Sequence, residues 1–190
     1  MIPNKFPMNI TASDYLEAQR RAARSATDKI AFRRIQEQLK NLKEVRERLA
    51  FEFLAMACED LERGGDGRPA IEGTLFGGSI REENLTKYSA WLERLASQCF
   101  GLMHRSHTIG LELTLTATLA SLRRINGERF HQLSRILLGS CAKGETSRRC
   151  EIMAQANWSP AERRENLRKS RKGTMILQRK NENAAKSNLN

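Results

Sequence analysis

The sequence predicts an all-α protein: a helical bundle built on a long N-terminal helix, an antiparallel second helix and a helical hairpin, with a basic C-terminal arm. Three observations predict it. Thr27 to Arg63 contains neither Gly nor Pro, and its apolar residues recur at steps of three and four: Phe32, Ile35, Leu39, Leu42, Leu49, Phe53 and Met56. A second run, Leu85, Tyr88, Leu92, Leu95, Cys99 and Leu102, repeats the same spacing. Such spacing puts one apolar seam on each helix. The third is the charge distribution: up to Ala142 there are 21 basic against 17 acidic residues, and from Lys143 onward 12 against 5, within a total of +11.

In chain order, residues 1–12 read as an extended leader, because Pro3 and Pro7 oppose regular structure. Thr11 or Ser13 is expected to cap a helix starting near Asp14. Leu16, Ala23 and Ile30 keep a seven-residue repeat out of phase with the later seam, so a bend or break is expected at 25–29. The long helix follows as a coiled-coil-like element, with Arg46 interrupting its seam as a register or edge marker. Arg33/Glu37, Lys40/Glu44 and Lys43/Glu47 support its charged face at i,i+4.

Gly64 to Ser79 holds six of the twelve glycines and reads as a loop with Leu75 and Phe76 tucked onto the bundle. It lacks the preceding strand and the Lys-Ser/Thr or GxGxxG pattern of a phosphate-cradling loop. Ser79 and Glu82 have capping-box spacing and predict the start of the second helix. Its connector is short, so an antiparallel, seam-to-seam return is the simplest arrangement. Leu111, Leu113 and Leu115 alternate as in a strand, yet Leu115, Leu119, Leu122 and Ile125 fit a helix, which is the reading adopted. Asn126-Gly127 marks a turn, and Phe130, Leu133, Ile136 and Leu137 a further helical face. These divisions give a leader at 1–12, a bundle at 13–142 and a partly disordered basic arm at 143–190.

A helix within about 146–156 is expected. Ser159-Pro160-Ala161-Glu162 is the strongest helix start in the chain, with Ser at the cap, Pro at the first position and Glu at the third. The helix it opens, to Lys172, has little apolar surface beyond Leu167. Trp158, Arg163, Arg164, Arg168, Lys169, Arg171, Lys172, Arg179 and Lys180 form the expected nucleic-acid contacts. Arginine forks match phosphate, and counterion release supplies affinity without reading sequence. The hairpin at 115–138, with Arg123, Arg124, Arg129 and Arg135, has the outline of a helix-turn-helix, although a plain hairpin fits better.

Ser159 to Thr174 resembles one copy of the short modular DNA-binding repeats found beside the nuclease domains of homing endonucleases. Ser159, Glu162, Arg163, Lys172 and Gly173 match that pattern, over about sixteen residues and once, with no nuclease domain beside it. The resemblance implies contact with DNA.

Other chemistry finds no pattern. There is no GxSxG or HExxH, and Glu37, Glu44, Glu47 and Glu52 sit among basic residues, so no enzyme is expected. His104-x-x-His107, Cys99 and His131 lack the tight paired spacing of a zinc site, so neither metal nor cofactor is expected. Cys58, Cys99, Cys141 and Cys150 are widely spaced and demand no disulfide, which makes a reducing cytoplasm the expectation. No secretory signal is read at the start, and no apolar run approaches the ~18 residues of a membrane span. The resulting expectation is a non-enzymatic DNA-binding accessory or regulatory protein of a plasmid or phage, serving conjugation, replication or transcription. DNA is favoured over RNA as the partner. The alternatives are RNA binding and a helical interaction or chaperone-like assembly factor that holds a protein partner, or a second copy, through its seams.

Overall fold

The computed structural model describes residues 10–24, 29–30, 33–34, 37, 45–142, 147–159, 161–162, 164–166 and 168–169. Among these, seven α-helices pack around an apolar core, and no strand occurs. Helix α1 spans Ala12–Arg24. Thr11 caps it: Asp14 N donates to Thr11 Oγ1 at 3.2 Å, and Thr11 N donates back to Asp14 Oδ2 at 2.9 Å. This reciprocal pair satisfies two backbone donors that the first turn would otherwise leave open. The buried face is Tyr15, Ala18 and Ala22, whereas Ala23 and Ile30 of the expected repeat are exposed. Tyr15 rotates that face. Its ring meets Phe53 at 5.8 Å and Phe76 at 5.3 Å, both edge-on, and gains more contact there than an alanine stripe offers.

Helix α2 spans Arg46–Glu62 and begins after a turn at Val45, inside the stretch read as one long helix. Arg46 is therefore its first residue rather than a mid-seam interruption. Of the seam residues, Leu49 and Phe53 are buried and Met56 is half-buried, joined in the core by Leu54 and Leu61, which the repeat did not include; Phe32, Ile35, Leu39 and Leu42 lie outside the described residues. Glu52 joins α2 to α1 by accepting Ala12 N at 2.8 Å.

The glycine-rich stretch expected as a loop contains a helix, α3, at Pro69–Phe76. Gly67, at φ +69°, reverses the chain in a region that other residues rarely adopt, and its N–H donates to Asp60 Oδ2 at 2.8 Å. Pro69 then opens the helix, where its missing N–H costs nothing. A Cβ on Gly73 would lie 2.9 Å from Leu54 Cδ2, so glycine is what lets α3 lie against α2. Phe76 is buried as expected, but Leu75 points outward, because a helix cannot turn two successive side chains to the same face.

Helix α4 spans Leu85–Arg105. The Ser79 cap does not form: residues 77–79 and 82–84 are short 3-10 turns, and Ile80 between them is extended. The reason is tertiary. Glu47 of α2 accepts Arg81 N at 3.0 Å, Arg81 Nε at 2.6 Å and Asn84 Nδ2 at 2.9 Å, fixing the entry to α4 from across the bundle. Tyr88, Leu92, Leu95 and Cys99 of the second seam are buried. Tyr88 also donates its hydroxyl to Gly73 O at 2.6 Å.

Helix α5, at Ile109–Ile125, is capped by the Thr108 hydroxyl, which accepts Leu111 N at 3.2 Å. The most extensive partner of α4 is α5 rather than α2, because the connector of residues 106–108 folds the two into a hairpin. Two threonines of α5 are accommodated by back-bonding. Thr116 Oγ1 donates to Glu112 O at 2.8 Å and Thr118 Oγ1 to Thr114 O at 2.7 Å. Asn126 alone separates α5 from α6, at Gly127–Gly139, and caps α6 by accepting Arg129 N at 3.1 Å. Phe130, Leu133 and Leu137 face the core, while Ile136 faces out.

Residues grouped with the arm on charge alone include α7, Arg148–Asn157, which contributes Ile152 and Met153 to the core. A disulfide between Cys141 and Cys150, which the cysteine spacing did not demand, joins the end of α6 to the first turn of α7. Spacing along the chain could not show that the turn after Gly139 brings these two cysteines together. Among the described residues, no helix is long and apolar enough to cross a membrane.

Candidate nucleic-acid interface

The basic arm leaves the bundle through α7, and α7 is held from both ends. At its start, Arg148 pairs with Glu112 of α5 and with Glu151, the latter at 2.9 Å. The Arg148 guanidinium holds the Glu112 carboxyl below the usual carboxylate range, with His107 Nε2 at 3.0 Å acting in the same sense. Arg149 is buried, with its guanidinium 4.6 Å from the Phe100 ring centre. At the other end, Arg123 of α5 donates to Ala156 O at 2.6 Å and to Trp158 O at 3.1 Å. A helix C-terminus leaves carbonyls without partners, and a cation there also complements the helix dipole. Arg123 supplies both while lying 5.6 Å from the Phe130 ring centre.

Trp158 is half-exposed and lines a cleft with Leu119, Ala120, Arg123, Ile152 and Gln155. It lies between the grip of Arg123 and the next helix start. There Ser159 and Glu162 form the reciprocal box that their spacing predicts: Glu162 N donates to Ser159 Oγ at 3.2 Å and Ser159 N to Glu162 Oε2 at 2.7 Å. The Ser159 backbone N–H, followed by its hydroxyl, holds the Glu162 carboxyl below its usual range.

Beyond the box, Arg164, Arg168 and Lys169 occupy exposed helical positions, and Lys169 Nζ lies 3.8 Å from Glu165. Arg163, Arg171, Lys172, Arg179 and Lys180 lie outside the described residues. Trp158 is thus half-exposed, and Arg164, Arg168 and Lys169 are exposed, within twelve residues of chain.

The helix-turn-helix outline fares differently. Arg123 grips α7, Arg124 Nη2 lies 3.5 Å from Thr74 O, and Arg129 meets Glu93 at 2.9 Å. Arg123 and Arg129 are half-buried and engaged by groups of the bundle, whereas Arg124 and Arg135 are exposed; residues 109–139 form a helical hairpin. Sequence reading missed the role of Arg123; nothing local in the Arg123–Arg124 pair signals that the first of them will grip a helix 33 positions away. Among the described residues, no group of three or more His, Cys, Asp or Glu side chains could hold a metal ion. No known protein family, curated protein or solved structure matches the chain.

Proposed function

We propose that this chain is a non-enzymatic DNA-binding accessory or regulatory protein of a plasmid or phage, acting in conjugation, replication or transcription. The bundle is the mount and the segment from Trp158 onward is the contact. One observation carries the reading: the Ser159–Glu162 box opens a helix on which Arg164, Arg168 and Lys169 face solvent, directly after a helix clamped to the core. A polar helix without an apolar face gains little by docking on protein, whereas a polyanion offers its guanidinium and ammonium groups many acceptors. Trp158, at the root of the segment, offers a ring for stacking on a base or sugar edge.

The test is a salt-titrated mobility shift on duplex DNA, single-stranded DNA and RNA, using the full chain and a chain ending at Asn157. The expected outcome is tightest binding to duplex DNA, falling with log salt by about 0.9 per phosphate contact, and lost on truncation. Binding that ignores both salt and truncation would overturn the reading, and preference for RNA would redirect it. A second reading, a helical interaction protein, has its own support. Ile109 and Leu113 of α5 are exposed one turn apart, as an anchor pair for a partner helix would be. Co-purification of a partner that survives truncation at Asn157 and is lost with Leu113→Asp would favour it.

A further inference from the structure

The four cysteines divide into two kinds. Cys58 and Cys99 are free and buried, and burial pushes the Cys99 thiol up to about 12, which keeps it protonated and inert at neutral pH. Cys141 and Cys150 are bonded to each other at a junction between helices. Their environments differ: the Cys141 side is half-buried, while Cys150 is buried at the third position of α7.

We propose that Cys141 and Cys150 are a reversible thiol–disulfide exchange site, with a low-molecular-weight dithiol as reductant and a low-molecular-weight disulfide as oxidant, which sets how firmly the first turn of α7 is anchored. The inference does not depend on what the arm binds.

Opening begins at the accessible sulfur. A thiolate of the dithiol attacks Cys141 Sγ, the S–S bond breaks, and the electron pair leaves on Cys150 Sγ. The second thiolate of the reductant then attacks its own sulfur in the mixed disulfide and releases Cys141. The dithiol becomes a cyclic disulfide, and its two protons end on the two cysteines. Closure runs through the oxidant. Cys141 Sγ attacks one sulfur of the small disulfide and expels one small thiol. Cys150 Sγ then attacks Cys141 Sγ and expels the second.

Two features fit this chemistry. The charge that leaves on Cys150 forms in the first turn of a helix, where the helix dipole favours an anion, and directly after Arg148 and Arg149. Arg148 shares its charge with Glu112 and Glu151, so the helix terminus is the steadier contribution. The second feature is redundancy. With the bond open, α7 still has Ile152 and Met153 in the core and Arg123 on the carbonyls of Ala156 and Trp158. Exchange is then a local opening rather than unfolding.

The experiment uses the full chain, purified without reductant. Native protein is alkylated before and after dithiothreitol, then after reoxidation with glutathione disulfide, and each cysteine is read by mass spectrometry. Backbone hydrogen exchange is followed in parallel. The expected result is that Cys141 and Cys150 become alkylated only after dithiothreitol, without denaturant, while Cys58 and Cys99 stay protected. Glutathione disulfide restores protection, and opening speeds amide exchange several-fold at residues 150–153 more than at 155–158. A Cys141→Ser, Cys150→Ser double variant should show the fast exchange in every redox buffer. A bond that yields only in denaturant, or α7 exchange unchanged by opening, would overturn the proposal. Should the double variant fail to fold, alkylation and exchange of the natural chain still decide.

Discussion

The arginines of α5 to α7 and the cations beyond Ser159 belong to the same chain and the same charge class, yet they do different work. Arg123, Arg129 and Arg149 reach partners 33, 36 and 49 positions away: the carbonyls of Ala156 and Trp158, the Glu93 carboxylate and the Phe100 backbone and ring. Past Ser159, the Ser159–Glu162 box spans three positions and the Lys169–Glu165 pair four. A guanidinium committed to carbonyls of another helix is a structural part. One whose neighbours are its own helical turn keeps most of its donors for a ligand. Excess charge is therefore a poor guide to an interface, and the sequence distance to the partner is a better one.

The largest test of this contrast is on the bundle side. Phe130 is fully buried and supports Arg123 from below its guanidinium. Phe130→Ala is expected to cost about 3–5 kcal/mol, as large aromatic truncations in cores do. Urea unfolding measures it, and a loss under about 1 kcal/mol would mean that the site collapses onto the gap, contrary to the packed core described.

Next is Arg123 itself. Replacing it with Met keeps the stem but strips two carbonyls at the end of α7 of their donor. A loss of about 1–3 kcal/mol is expected, the range for a buried polar group left unpaired. Arg168→Met, at an exposed arm position, should change stability by no more than about 0.5 kcal/mol. Equal effects of the two substitutions would erase the distinction drawn between the two regions.

What the sequence made legible follows the same division between near and far. The Thr11 and Ser159 caps, the Leu85–Leu102 seam and the helicity of 109–125 rest on residues within two turns of each other, and local spacing reports them. The Ser79 cap failed because Glu47, more than thirty positions earlier, takes the groups that define the entry to α4. Helix α3 was hidden because Gly73, a poor helix former, is there to let Leu54 approach. Tyr15 sets the face of α1 only because Phe53 and Phe76 come to meet it. The Cys141–Cys150 bond depends on a turn between helices, and no periodicity encodes it. Of the candidate segment, the helix start at Ser159 was legible; the clamp of Arg123 on its root was not.

A smaller effect comes from the protonated groups of the core. Burial raises the Tyr88 phenol above its ordinary value and pushes the Cys99 thiol up to about 12. Both groups hold their protons more tightly folded than unfolded, so their contribution is complete below the unfolded values of about 9 and 10. It declines as pH rises from there, because the unfolded chain is then favoured by deprotonation. Urea midpoints should fall between about pH 8 and pH 10.5. Tyr88→Phe should cost about 1–2 kcal/mol at neutral pH, since Gly73 O loses its buried donor, while making the alkaline fall shallower. An alkaline slope unchanged in Tyr88→Phe would assign the fall to Cys99 together with the Cys58 thiol and the Tyr15 phenol, which burial also raises.

The smallest expected effect on stability is also the sharpest comparison. A chain ending at Asn157 loses every cation beyond Trp158 but keeps α1 to α7, with Arg123 still on Ala156 O. If the arm touches the bundle only through its root, the unfolding free energy should change by no more than about 0.5 kcal/mol. The Trp158 carbonyl goes with the deletion, but Ala156 O retains the shorter of the two Arg123 contacts. On the reading proposed above, the same truncation removes polyanion binding altogether. The two measurements must therefore separate: stability intact and binding gone. A truncated chain that unfolds several kcal/mol more easily would mean that the arm is packed on the bundle. Its cations would then belong with Arg123 and Arg129 as structural parts, and a loss of binding in that chain would report lost structure rather than a lost contact.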